Sequence, residues 1–176
     1  MKPSVRVAVT ALAALIVAGS ASARDRADVK APKTSGPQEV EVLAVMVDQR
    51  TQQPAVMLEG KRDKRTFTMA IGLAEMTAIA VPLQGVTPPR PLTHDLFITL
   101  FGRLKVNVTR VVITDFRDDI YYATVHLSNG STEMVLDSRP SDAIALAIRA
   151  KVPVLVEDRV FDKGGTVEST PARPHI

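Results

Sequence analysis

The sequence predicts an α+β fold: a single domain of two β-β-β-α repeats with an inserted helix, built on a mostly antiparallel sheet. Three observations lead there. Strand-like and helix-like segments follow one another as three strands, a helix, a second helix, three more strands and a helix. Met69-Ala70-Ile71 and Ala78-Ile79-Ala80 match Met134-Val135-Leu136 and Ala143-Ile144-Ala145 at a constant offset of 65 positions, which suggests an internal duplication. Asn129-Gly130, lying between two strand-like runs, is the strongest hairpin signal in the chain.

The elements follow in order. Residues 39–47 alternate Glu39 and Glu41 with Val40 and Val42 before turning apolar, as a half-buried strand does. Residues 54–58 and 66–71 read as two further strands, with the basic run Lys61-Arg62-Asp63-Lys64-Arg65 turning between them. Residues 72–83 place Leu73, Met76, Ile79, Ala80 and Leu83 on a helical stripe that Gly85 and Pro88-Pro89 bring to an end. In a second helix, at 94–104, Leu96, Phe97, Leu100, Phe101 and Leu104 share one face, and that face is expected to be buried. Thr93 is its expected N-cap, with Asp95 in the first turn. Strands at 106–115, 120–127 and 132–136 come next. A two-residue type I′ turn at Asn129-Gly130 would set Ser128 opposite Ser131 and His126 opposite Glu133. A helix at 140–149, opened by Pro140 in its first turn, and a short strand at 152–156 complete the domain. If the two halves fold alike, a pseudo-twofold brings Glu75 and Asp142 toward related positions.

Residues 1–23 read as a signal peptide. Lys2 and Arg6 precede an apolar run at 7–18, and Ala21-Ser22-Ala23 supplies the small residues required for cleavage before Arg24. That run is short for a membrane span and no later segment is long enough, so no stable membrane insertion is expected after cleavage. Export follows, to the periplasm or the exterior if the source is bacterial. Residues 24–37 read as a flexible leader, 38–162 as the domain and 163–176 as a disordered tail. The chain has no Cys, which removes disulfides and thiolate chemistry.

A net charge of +3 invites a polyanion reading, but the charge lies in the wrong places. Residues 39–163 hold 15 Lys and Arg against 16 Asp and Glu, a net of −1, and the excess is in the signal and tails. Only the 61–65 run is a local basic patch, and a solvated turn is its simpler reading.

Chemistry is suggested where charged groups gather at helix starts. Arg139-Pro140-Ser141-Asp142 opens an otherwise apolar helix, and Asp142 sits against the positive end of its dipole. Arg90-Pro91-Leu92-Thr93-His94-Asp95 opens another, and Glu75 lies in the first turn of a third. Helix mouths of this kind hold anions or metals. No HExxH, CxxC or glycine-rich phosphate loop is present, and no Ser-His-Asp or Cys-His arrangement emerges from spacing. The structural alternative is that each acid caps its own helix and Arg139 locks a turn.

Ile71-Gly72-Leu73-Ala74-Glu75 with Ala78-Ile79-Ala80, then RPLTHDL at 90–96 and RPSDAIALA at 139–147, resemble the bifunctional nuclease (BFN) domain family, in that family's order. The resemblance spans roughly residues 40–157. It implies an α+β fold, multimeric association as a homodimer or higher homo-oligomer, and DNase and RNase activity on nucleic acid. On that basis the expected chemistry is phosphodiester hydrolysis assisted by a divalent cation, Mg²⁺ or Mn²⁺. Glu75, Asp95 and Asp142 are its expected ligands. Arg90, Arg139 and Ser141 would contact substrate, and His94, Arg139 and Asp142 would act in catalysis, His94 as proton carrier and Arg139 as a planar fork on phosphate. The competing reading is a non-catalytic binding module of the cell envelope with the same fold.

Overall fold

The computed structural model describes residues 36–49 and 51–164. The signal reading at 1–23, almost all of the leader and nearly all of the tail lie outside them. Seven strands form one sheet: β1 (Gln38–Val47), β2 (Pro54–Gly60), β3 (Thr66–Ala70), β4 (Asn107–Arg117), β5 (Ile120–Asn129), β6 (Thr132–Ser138) and β7 (Val154–Val156). Four helices accompany them: α1 (Leu73–Leu83), α2 (Thr93–Arg103), α3 (Pro140–Ala150) and α4 (Asp158–Gly164).

Strand order is β3-β2-β1-β7-β4-β5-β6. β7 runs antiparallel to β1 and parallel to β4, and every other pairing is antiparallel. Two three-stranded meanders therefore flank β7 with opposite polarity, each followed by its helix, as a duplicated β-β-β-α unit with a pseudo-twofold requires. The helix motifs match in environment at two positions, since Ala78 and Ile79, like Ala143 and Ile144, are buried, whereas in the strand motifs Met69 is buried and Met134 exposed. α3 is the central helix. Seven of its eleven residues are buried, Ile144 completely, and each large apolar side chain so placed contributes about 1.5–3 kcal/mol. Phe67 of β3 stacks on Tyr121 of β5, with centroids 5.8 Å apart, so the sheet curls over its core to bring strands distant in its order into contact.

Four features differ from the sequence expectation. Asn129 pairs with Thr132, which makes Gly130-Ser131 the central pair of the β5–β6 turn, with positive φ at Gly130. The type I′ geometry occurs one hairpin earlier, at Asp118-Asp119, where both φ values are positive (53° and 60°). His126 consequently faces Val135, and Glu133 faces Ser128. Second, Leu92 is the N-cap of α2 and Thr93 its first residue; Asp95 reaches back to accept the Leu92 N–H at 2.8 Å.

Third, no residue of α2 is buried. Leu96, Leu100 and Leu104 are half exposed or more, because the inserted helix touches α3 and β4 along one edge, mainly through Ile98 and Phe101. Fourth, α4 carries the chain to Gly164. It buries Val160 and Phe161 and pairs Lys163 with Asp115, a helix too short to stand out from the adjoining tail in periodicity. The basic run at 61–65 is pinned in place. Lys61 pairs with Glu39, Lys64 with Glu59, Arg62 with Asp158, and Arg65 with Asp63, Asp158 and Asp162, so its charges are matched within the domain.

Candidate active site

The mouths of three helices open onto a cavity of about 850 Å³. α1 contributes Glu75, α2 His94, and the β6–α3 junction Asp137, Ser138, Arg139 and Asp142. Its floor is apolar, with Phe97 and Phe101 from α2 and Leu146 from α3. Backbone rules explain the local placement. Arg139, extended at the N-cap with φ −68° and ψ 141°, suits the residue before a proline, and Pro140 starts the helix.

One chain of polar contacts runs across the mouth. Arg139 donates through Nε to Asp142 Oδ2 at 2.7 Å and through Nη2 to Oδ1 at 3.2 Å. Its Nη2 also lies 2.9 Å from Glu75 Oε1. His94 Nε2 meets Asp142 Oδ1 at 3.1 Å. An ionised carboxylate only accepts, so Nε2 carries the proton and Nδ1 is the basic nitrogen of the ring. Burial pushes the Asp142 carboxyl up, but hydrogen bonds from Arg139 and His94 outweigh it and hold the group below its ordinary value.

Asp95 belongs to a different arrangement. Arg149, 7% exposed, donates from Nε to Asp95 Oδ1 at 2.6 Å and from Nη1 to the carbonyls of Ala78 and Ala145. Burial acts to raise the Asp95 pKa, and the bonds from Arg149 and the Leu92 N–H lower it further than burial raises it. Both oxygens of Asp95 are engaged: Oδ1 ties α2 to α3 through Arg149, which itself reaches α1, and Oδ2 caps α2 at the Leu92 N–H. The three acids read from the sequence as metal ligands do not converge, and no group of three or more His, Asp or Glu among the described residues has the spacing to hold a metal. Glu75 and Asp142 do lie together, on either side of Arg139. Both Asp142 oxygens are already engaged by Arg139 and His94, so a cation held by this pair would have to displace the guanidinium from between them.

Ser141 is 8% exposed and lines a second cavity of about 510 Å³, along with Glu75 and Arg139. Arg90 stands exposed, outside the lining of both. Of the seven residues singled out, the structure thus gathers Glu75, His94, Arg139 and Asp142, sets Ser141 behind Arg139, and leaves Asp95 and Arg90 apart. The sequence does not single out Arg149, which lies in the last turn of α3, because nothing in sequence spacing links it to Asp95.

The model of the bifunctional nuclease domain matches residues 56–169. The chain belongs to the bifunctional nuclease domain family. A protein from Mycobacterium tuberculosis described as uncharacterized is 37% identical over 127 residues, 72% of this chain and 76% of its own length. Bifunctional nuclease 1 of Oryza sativa subsp. indica is 32% identical over 99 residues, 53% of this chain. Bifunctional nuclease 2 of Arabidopsis thaliana is 32% identical over 123 residues, 62% of this chain. The chain spans about a third of the length of each of these two plant relatives. The elements that line the site, among them α1, α2, β6 and α3, lie inside the matched span.

Proposed function

We propose that this BFN-domain chain hydrolyses phosphodiester bonds of nucleic acid at the cavity mouth. The observation that carries this is the continuous contact His94–Asp142–Arg139–Glu75. Asp142 orients the imidazole so that Nδ1 is the acceptor for a proton from an attacking water, a role in which a fixed tautomer matters. Arg139, two-thirds exposed, presents its planar donors to phosphate oxygens and stabilises charge that builds up in the transition state. Glu75 and Asp142 hold the guanidinium in register. They would also be the residues to hold a divalent cation in place of the guanidinium, and such a cation when bound supplies an acidified water and neutralises phosphate charge.

The test is incubation of the purified protein with plasmid and with RNA, in Mg²⁺, in Mn²⁺ and in EDTA. Cleavage that disappears in folded His94→Ala and Asp142→Ala proteins supports the reading. Cleavage unchanged by both substitutions overturns it, and absence of cleavage in every condition favours the binding module. Loss in EDTA supports the cation, and persistence removes it.

Two further proposals accompany this reading. Export rests on the N-terminal pattern and is checked by sequencing the mature N-terminus recovered from cell fractions. Self-association is supported by β6, an edge strand with an unpaired side on which Val135 and Leu136 are about half exposed. A second copy, pairing β6 with β6 about a twofold axis, would cover that edge. Light scattering that finds a dimer in the wild type and a monomer in Val135→Lys supports it; a monomeric wild type overturns it.

A further inference from the structure

Helix α2 keeps an apolar stripe open to solvent along its length: Leu96, Phe97, Leu100 and, at the C-cap, Leu104 are each about half exposed. The stripe starts at the cavity mouth, where Phe97 stands one turn after His94, and finishes among cations. Arg103, three residues after Leu100, flanks it, and Lys105 follows the helix. Lys151 joins them, because β4 and β7 are parallel neighbours and the residues leading into both strands stand at one end of the sheet. All three residues are exposed, and among the described residues none of them makes an ion pair. Glu133, near the β5–β6 turn at the same end, faces Arg110 at 3.8 Å instead. The backbone adds a second observation. Lys105 and Lys151 end their helices in the left-handed conformation, both with φ 56°, where glycine is the residue of least cost. A lysine inside the last turn would serve the helix dipole without that cost, so charge stands here against the preference of the backbone.

We propose that the open face of α2, with Arg103, Lys105 and Lys151 at its end, is the track on which a nucleic-acid strand lies as it leaves the cavity mouth. This rests on the phosphodiester reading and adds where a long substrate is held. The mouth itself does not attract a polyanion, since its lining sets His94 and an already paired Arg139 against Glu75, Asp137 and Asp142. Affinity for a polymer then has to come from cations elsewhere. From His94 to Arg103 the helix rises about 14 Å, a span of about four phosphates in a stacked strand. Unpaired bases offer their apolar faces to Phe97 and the leucines while the phosphates reach the cations, the combination that single-strand binding surfaces use. A duplex presents no such faces, so the partner is RNA or an unpaired stretch of DNA.

The experiment measures fluorescence anisotropy of a labelled single strand of about 20 nucleotides, made with hydrolysis-resistant phosphorothioate linkages, on the full chain. In the triple variant Arg103→Gln/Lys105→Gly/Lys151→Gly, affinity at about 50 mM salt should fall at least about tenfold. The slope of log K against log salt should flatten by about 2, three contacts at about 0.7 each. Its melting temperature should stay close to wild type, since glycine suits both left-handed positions, so the loss is not unfolding. Leu100→Glu, at an exposed position, should weaken binding at least about threefold. A wild-type protein that does not bind the strand, or a triple variant with unaltered affinity and slope, overturns the track. A triple variant whose only loss is of binding to phosphatidylserine vesicles overturns it in favour of a membrane surface. Undiminished strand binding in Leu100→Glu, with light scattering that finds the wild type dimeric and this variant monomeric, gives the face to a second copy and also overturns it. If plasmid and RNA stay uncut while the triple variant loses the strand, the hydrolytic reading falls and the track stands.

Discussion

Removing Asp95 separates a structural role from a metal-binding one. In Asp95→Ala, the Arg149 guanidinium keeps its bonds to the carbonyls of Ala78 and Ala145 but loses its counter-charge while remaining 7% exposed. Stranding a buried charge costs about 3 kcal/mol, taken from the low end of the usual range because Asp95 itself is one-third exposed. Losing the acceptor for the Leu92 N–H adds about 1 kcal/mol. Each kcal/mol shifts the melting temperature of a domain this size by about 3–5 °C, so Asp95→Ala should melt about 12–20 °C lower. Thermal and urea unfolding followed by circular dichroism measure it. The double variant Asp95→Ala/Arg149→Met should recover at least about 2 kcal/mol, since no charge is then left stranded. An Asp95→Ala protein that melts within a few degrees of wild type but binds Mg²⁺ or Mn²⁺ far more weakly would refute this reasoning and return Asp95 to the ligand set.

Arg139→Lys should lower kcat/KM on nucleic acid at least tenfold, since an ammonium cannot reproduce a two-pronged contact with phosphate; full activity in that variant would be the contrary result. Asp95 and Asp142 both have folded pKa values below the ordinary carboxylate value, so their contribution to stability is full above about pH 4 and drains away as pH falls through the lowered values. Urea midpoints between pH 6 and pH 3 should therefore drop, and drop less in Asp142→Asn. Arg65→Ala removes pairings to Asp63, Asp158 and Asp162 and a contact 4.6 Å above the Phe161 ring. A loss of about 1–2 kcal/mol is expected, together with faster hydrogen exchange throughout α4; unchanged exchange would show that α4 does not depend on this latch.

Much of the architecture was legible because the rules that govern it are local. Pro140 opening α3, the alternation in β1, the NG-containing turn region and the 65-residue echo all act over a few neighbouring residues. Local rules failed where a choice depends on distant contacts. The β5–β6 turn moved by one residue and each cross-strand partner by two, because turn type at Asn129-Gly130-Ser131 is settled together with the pairing of two strands. α2 has the periodicity of a buried helix, yet its apolar face is open, since periodicity tells which residues share a face and not what covers it.

The sequence by itself determined the two β-β-β-α units, the helix starts and the kinds of charged group standing at them, all of which follow from propensity and spacing. Only the tertiary structure decided which charges meet. The pseudo-twofold and the packing of α3 against α1 and α2 bring Glu75, His94, Arg139 and Asp142 to one mouth. The same packing turns Asp95, one residue from His94, to the buried Arg149. Adjacent helix residues point about 100° apart, so neighbours in sequence join different networks as soon as a helix is docked.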